Sequence, residues 1–259
     1  MSETLQTYLD FANETAYLAG RLTLGYFQSN LDVETKADGS EVTAADRGAE
    51  TLIRERIQRY FPNHALLGEE FGELESSSPY RWIIDPIDGT RSFVHGVPIY
   101  AVLIGLEING NVEVGVAHFP AIQETLSAAR GEGCYWNNLR AQVSPVKRLS
   151  NALVLTNDSL SCYKNGYGPA WERISSRCKT RRGWGDAYGY LLVATGRAEL
   201  MLDPAMNVWD CGPFPPIFRE AGGYFGDWKG NPTIYGNEAL GTTNLLLPEV
   251  LNLIQEPLA

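Results

Sequence analysis

Trp82-Ile83-Ile84-Asp85-Pro86-Ile87-Asp88-Gly89-Thr90 is the stretch on which the reading of this chain turns. Three β-prone apolar residues run straight into a carboxylate, the pattern of a buried strand ending at Asp85. Pro86 has no N–H to give to a ladder, which predicts that the strand stops there and the chain turns. Asp85 and Asp88 then face each other across a tight loop, and Gly89 admits backbone angles closed to other residues. The residues that follow can open a helix, whose first N–H groups lack internal partners and favour anions. The segment thus offers hard oxygen ligands beside a cradle for phosphate, a donor set suited to Mg²⁺ rather than zinc. Read without that chemistry, it is an Asp-rich turn with a helix cap.

Working outward toward the N-terminus, Ala65-Leu66-Leu67 reads as a short strand delivering Gly68, Glu69 and Glu70. Adjacent carboxylates at a strand end repel unless one is held on a cation or left in solvent. Thr43-Ala44-Ala45-Asp46 has the form of a capping box opening a helix to about Tyr60, with Leu52, Ile53 and Ile57 inward. Asp46 then has a structural role as a carboxylate that offsets the helix dipole. Residues 29–41 are polar and without period, including Lys36 and Asp38, and read as a solvated loop. Loops of this kind can close over sites. Residues 4–28 place Leu5, Leu9, Ala12, Ala16 and Ala19 at helical spacing.

Toward the C-terminus, the runs 101–106 and 112–116 flank Asn109-Gly110-Asn111, a hairpin signal. Short strands are expected at 124–129, 133–136, 153–155 and 198–202, the last leading into Asp203-Pro204. Residues 158–169 are turn-rich, and 188–195 read as a helix ended by Gly196. After Asn207-Val208-Trp209-Asp210, the prolines at 213, 215 and 216 predict an irregular first turn or a helix delayed to about Pro216.

Composition narrows the function. The chain has 259 residues, 44% of them hydrophobic and 20% charged, as expected of a sizeable globular core. A net charge of −10 argues against nucleic acid and against anionic membrane surfaces as partners. A phosphate ester would need local positive charge, which bound metal could provide. Met1-Ser2-Glu3-Thr4 lacks a basic region and an apolar run, so no signal peptide and no membrane span are expected. Cys134, Cys162, Cys178 and Cys211 are scattered, which suits reduced thiols and a cytoplasmic location. The histidines form no zinc-binding pattern.

Asp85-Pro86-Ile87-Asp88-Gly89-Thr90, with Gly68-Glu69-Glu70 upstream and Trp209-Asp210 and Glu220-Ala221-Gly222-Gly223 downstream, resembles the inositol monophosphatase family over nearly the whole chain. The resemblance implies a five-layer αβαβα sandwich of α/β class and an Mg²⁺-dependent, lithium-sensitive phosphomonoesterase. An N-terminal α+β domain at 1–149 would carry most metal ligands. A C-terminal domain at 150–259 would carry Asp210 and the residues that select substrate. By the same resemblance Glu69, Asp85, the Ile87 carbonyl, Asp88 and Asp210 hold two or three metal ions. Such carboxylates could converge only with cations among them. Gly89 and Thr90 would bind phosphate. Asp46 with Thr90, or Glu69, would orient the attacking water, with no covalent nucleophile. The family also implies a homodimer and a lid bearing Lys36.

Asp186 and Asp203 fall in segments that face the substrate in this family, together with Asp88 and Asp210. Taken alone, Asp186 could equally be a helix N-cap and Asp203 a turn residue before proline. An added acidic pair suits a cationic leaving group. Gly185-Asp186-Ala187-Tyr188 and Asp227-Trp228-Lys229-Gly230 resemble the histidinol-phosphate phosphatase branch, with L-histidinol phosphate as substrate and histidine biosynthesis as its setting. Inositol 1-phosphate or other small phosphates are the alternative substrates. A member of the same fold acting as a non-enzymatic partner protein is a further alternative.

Overall fold

A computed structural model describes residues 3–30, 32–36 and 39–256. Met1 and Ser2 of the acidic terminus and Asp38 of the polar stretch lie outside them. The chain opens with α1 (Leu5–Leu24), a small hairpin of β1 (Glu34–Thr35) and β2 (Glu41–Val42), and α2 (Ala44–Tyr60). Next come β3 (Ala65–Gly68), β4 (Gly72–Leu74), β5 (Tyr80–Asp88) and the short α3 (Thr90–Val94). The meander β6 (Ala101–Ile108), β7 (Asn111–Phe119), β8 (Glu124–Ala129), β9 (Gly133–Trp136) and β10 (Leu139–Arg140) completes an eight-stranded sheet in the order β10-β9-β8-β7-β6-β5-β3-β4.

The second half begins with β11 (Leu153–Thr156), α4 (Ser159–Lys164), α5 (Gly168–Arg177) and β12 (Thr180–Arg182). It continues through α6 (Asp186–Ala194), β13 (Leu200–Asp203), α7 (Val208–Cys211) and α8 (Phe214–Ala221). It closes with β14 (Gly223–Gly226), β15 (Ala239–Thr243) and α9 (Leu247–Gln255), and its five strands form a sheet ordered β12-β11-β13-β15-β14.

Three apolar clusters stack these elements into layers. Ala12, Ala16 and Ala19 of α1 and Ile53 and Ile57 of α2 pack on Trp82, Ile84 and Ile104 of the large sheet. The opposite face of that sheet, through Ile83 and Leu103, shares a cluster with Leu191 of α6 and Phe214 and Phe218 of α8. Met201 and Phe225 of the small sheet belong to the same cluster. Ile174 of α5 and Val250 of α9 cover the outer face of the small sheet at Val154 and Leu202. The order is therefore helix, sheet, helix, sheet, helix, the expected αβαβα arrangement.

Several local expectations are corrected. Strand β5 does not stop at Asp85 but runs to Asp88. Its register against β6 shifts between those two residues, so Pro86 falls in the irregular step where no ladder N–H is needed. The polar stretch 29–41 is not all loop, since β1 and β2 pair within it. Turn-rich 158–169 holds α4, capped by the Asp158 side chain, and the start of α5, whose Pro169 sits in the first turn where its missing N–H costs nothing. Around Asp210 the irregular first turn is what forms, and onset is not delayed to Pro216. One turn, α7, forms there at once, and α8 then starts at Phe214 with Pro215 and Pro216 in its first turn.

Candidate active site

Each carboxylate is placed by an ordinary piece of backbone. Asp85 and Asp88 sit at the irregular end of β5, where Asp85 Oδ1 accepts the Ile87 N–H at 3.0 Å. Gly89 follows with φ of 81°, a left-handed N-cap for α3. Asp210 is the third residue of α7 and closes a capping box, its Oδ2 accepting the Asn207 N–H at 2.7 Å. Asp203 ends β13, buried, rather than standing in a turn. One carboxylate oxygen from each of Asp85, Asp88 and Asp210 lies within 4.8 Å of the others.

These residues line a cavity of about 190 Å³ together with Glu69, Ile87, Gly89, Thr90, Asp186 and Asp203. Asn157, Ala205, Met206, Asn207 and Trp209 complete its wall. Asp46 is the one expected site residue outside the lining. It is fully buried behind Thr90, whose hydroxyl donates to Asp46 Oδ1 at 3.3 Å and to the Ile87 carbonyl at 3.0 Å. The other Asp46 oxygen accepts from the Thr43 N–H at 2.8 Å and from the Thr43 hydroxyl at 2.7 Å, completing the second capping box. Lys36 reaches the site edge and pairs with Glu69 at 2.8 Å and Glu70 at 2.6 Å. Glu70 itself does not line the cavity.

The electrostatics are those of a site short of positive charge. Burial, then repulsion from Glu69 and Asp88, holds the Asp85 carboxyl well above the ordinary range. Burial and neighbouring Asp186 and Asp210 do the same to Asp88. Burial is also the largest cause at Asp203, Asp210 and Glu69, pushed up to about 7, about 6 and about 7. Lys36 opposes the shift at Glu69, and Asn207 opposes that at Asp210. Crowded oxygen donors, Asp85 buried and Asp88 and Asp210 half-buried, with no cationic side chain among them fit a hard divalent cation.

Asp186 is not the N-cap of α6; that place is held by Gly185. Its carboxylate instead accepts from Asn157 Nδ2 at 2.7 Å and Ser92 Oγ at 3.0 Å. The next N–H, of Ala187, donates to Asp88 Oδ2 at 2.6 Å. Asn157 and Ser92 carry no sequence signal of their own, because their roles exist only once β11, α3 and α6 meet. Trp184 is 46% exposed and so is not a core residue. Asp227 does not line the cavity, and its carboxylate closes its own loop by accepting from Lys229 and Asn231.

A profile of the inositol monophosphatase family matches residues 4–256, the whole span on which this site is built. The chain belongs to that family. A histidinol-phosphatase of Chlorobaculum parvum is 44% identical over 91% of this chain and 92% of its own. One from Mycobacterium tuberculosis is 36% identical over 86% of this chain and 87% of its own. Among solved structures, the IMPase of Thermotoga maritima superposes with a TM-score of 0.86 at 32% identity, covering 96% of this chain and 97% of its own. The family member described here is accordingly a metal-dependent phosphatase. No helix among its described residues is long and apolar enough to cross a membrane.

Proposed function

We propose that this phosphatase hydrolyses L-histidinol phosphate to L-histidinol and phosphate by direct attack of water. The observation that carries the reading is the pair Asp186 and Asp203, which line the cavity beside Asp85, Asp88 and Asp210. Acid beyond what a cation cluster uses favours a leaving group that is itself positive, and histidinol offers an amine and an imidazole. The similarity to two proteins named histidinol-phosphatase supports the same choice.

In this reading Glu69, Asp85, the Ile87 carbonyl, Asp88 and Asp210 hold magnesium, two or three ions per site. Bound there, the metal supplies Lewis acidity toward the phosphoryl group. Gly89 and Thr90 orient phosphate through their backbone N–H groups. Thr90 lies between the cavity and Asp46, so a water proton accepted at its hydroxyl oxygen can be offset by the proton Thr90 gives Asp46. Burial raises the Asp46 carboxyl above its ordinary range, while the hydrogen bonds from Thr43 and Thr90 oppose that shift. A homodimer is part of the proposal, as is the division at residues 149 and 150.

Side-by-side rates test the substrate. The value of kcat/KM on L-histidinol phosphate should exceed that on inositol 1-phosphate by about tenfold or more, the scale of one buried polar discrimination. A preference for inositol 1-phosphate overturns the assignment and favours a general small-phosphate hydrolase. Phosphate release that survives EDTA would remove the metal from the reaction.

A further inference from the structure

We propose that Asn157 and Ser92 are positioning residues that fix the Asp186 carboxylate as the receptor for the cationic leaving group, and so set selectivity. This rests on the substrate reading above. Asp186 has φ of 52°, in the left-handed region that a residue with a Cβ enters at a cost. Two donors accompany that backbone, one on each oxygen: Asn157 Nδ2 at 2.7 Å and Ser92 Oγ at 3.0 Å. Two glycines make the fit possible. A Cβ on Gly89 would stand 2.8 Å from Asp186 Oδ2, and one on Gly185 would stand 2.5 Å from the Asn157 Cα. Residues from three separated segments thus interlock around one carboxylate at the cavity wall.

Each carboxylate oxygen accepts about two hydrogen bonds. One donor on each therefore fixes the plane of the group and leaves a lone pair on both oxygens for an ammonium or imidazolium N–H. Asp186 lines the cavity, as Asn157 does, so a ligand held there can reach its carboxylate. A carboxylate already fixed loses less side-chain freedom when the substrate arrives, which strengthens binding of the cationic end alone. The same turn hands the Ala187 N–H to Asp88, so its geometry is shared with the cation cluster.

The test compares wild type, Asn157→Ala, Ser92→Ala and Ser92→Thr on L-histidinol phosphate and on glycerol 2-phosphate, whose leaving group is neutral. Asn157 is exposed, so its truncation should leave the fold intact, and Ser92→Ala serves as the independent second variant. The ratio of kcat/KM for the two esters should fall about tenfold in Asn157→Ala and about threefold in Ser92→Ala, through KM for the cationic ester. Ser92→Thr keeps a hydroxyl and should keep the wild-type ratio. Calorimetry with L-histidinol on metal-free protein should show weaker binding in both alanine variants. If wild type prefers the cationic ester while both alanine variants hold its ratio and its L-histidinol affinity within about twofold, the inference is overturned. If wild type shows no preference, the substrate reading fails first, and that arm reveals it before any variant is compared.

Discussion

Asp85 is 1% exposed and shares a 4.8 Å neighbourhood with two more carboxylates, so its charge is costly without a cation and useful with one. Asp85→Asn keeps the acceptor for the Ile87 N–H and removes the charge. The metal-free variant should therefore melt a few degrees above metal-free wild type, about the shift that 1 kcal/mol gives a chain of this size. Magnesium at a hundredfold over Kd should add about 2.7 kcal/mol to wild type and little to the variant. Melting curves with and without the ion check both; a wild-type protein indifferent to magnesium would count against this site. Legibility differs sharply among these residues. Asp85 and Asp88 lie three residues apart, and their chemistry could be read from that spacing. The left-handed backbone of Asp186 could not, because Asn157 and Ser92, which hold it, are distant in the chain.

Among the elements, the α7–α8 connection shows how the large sheet positions Asp210. Its backbone lies directly on two glycines of the sheet: a Cβ on Gly105 would sit 2.5 Å from the Gly212 carbonyl oxygen, and one on Gly115 would collide with that of Pro213. Neither neighbour is a flexible side-chain tip, so the connection must lift to make room. Gly115→Ala should cost about 1–3 kcal/mol or more in urea denaturation and weaken magnesium binding, though it touches no ligand. Retention of wild-type ion affinity would show that Asp210 is placed some other way. The proline run was hard to read for a related reason. Sequence shows that Pro213, Pro215 and Pro216 resist a continuous helix, but not that the chain would fit one turn ahead of them. The two capping boxes were unequal in legibility: Thr43 to Asp46 precedes a long amphipathic run, whereas Asn207 to Asp210 caps a single turn.

At the level of the whole molecule, stability should carry the mark of one histidine. His118 of β7 is buried against α1, its Nδ1 within 2.8 Å of the Thr125 hydroxyl and its ring closing on Gly20. Burial pushes its pKa down to about 4 from an ordinary 6.5. The unfolded chain thus takes up a proton below about pH 6.5 that the folded chain refuses until about pH 4, and stability falls as pH drops through that window. The loss is on the order of 3 kcal/mol when complete. His118→Gln should flatten this slope in urea midpoints between pH 7 and pH 5. Comparing variant with wild type separates the histidine from the acidic site, whose raised carboxyls act with the opposite sign. An unchanged slope would remove His118 as the cause. Layer order was visible in sequence only through resemblance, because periodicity marks which face of a helix is buried and not what covers it. Pairing was easier, as the Asn109-Gly110 hairpin between β6 and β7 illustrates.

The acids of the cavity hang from different supports, Asp85 and Asp88 from the large sheet and Asp203 from the small one, with Asp210 on the turn that follows β13 and rests on the large sheet. Phe214 and Phe218 stand between those supports as a spacer, and their girth sets the gap the acids must span. A smaller ring at either position would consequently act twice, loosening the core and shifting the acids of one support against those of the other.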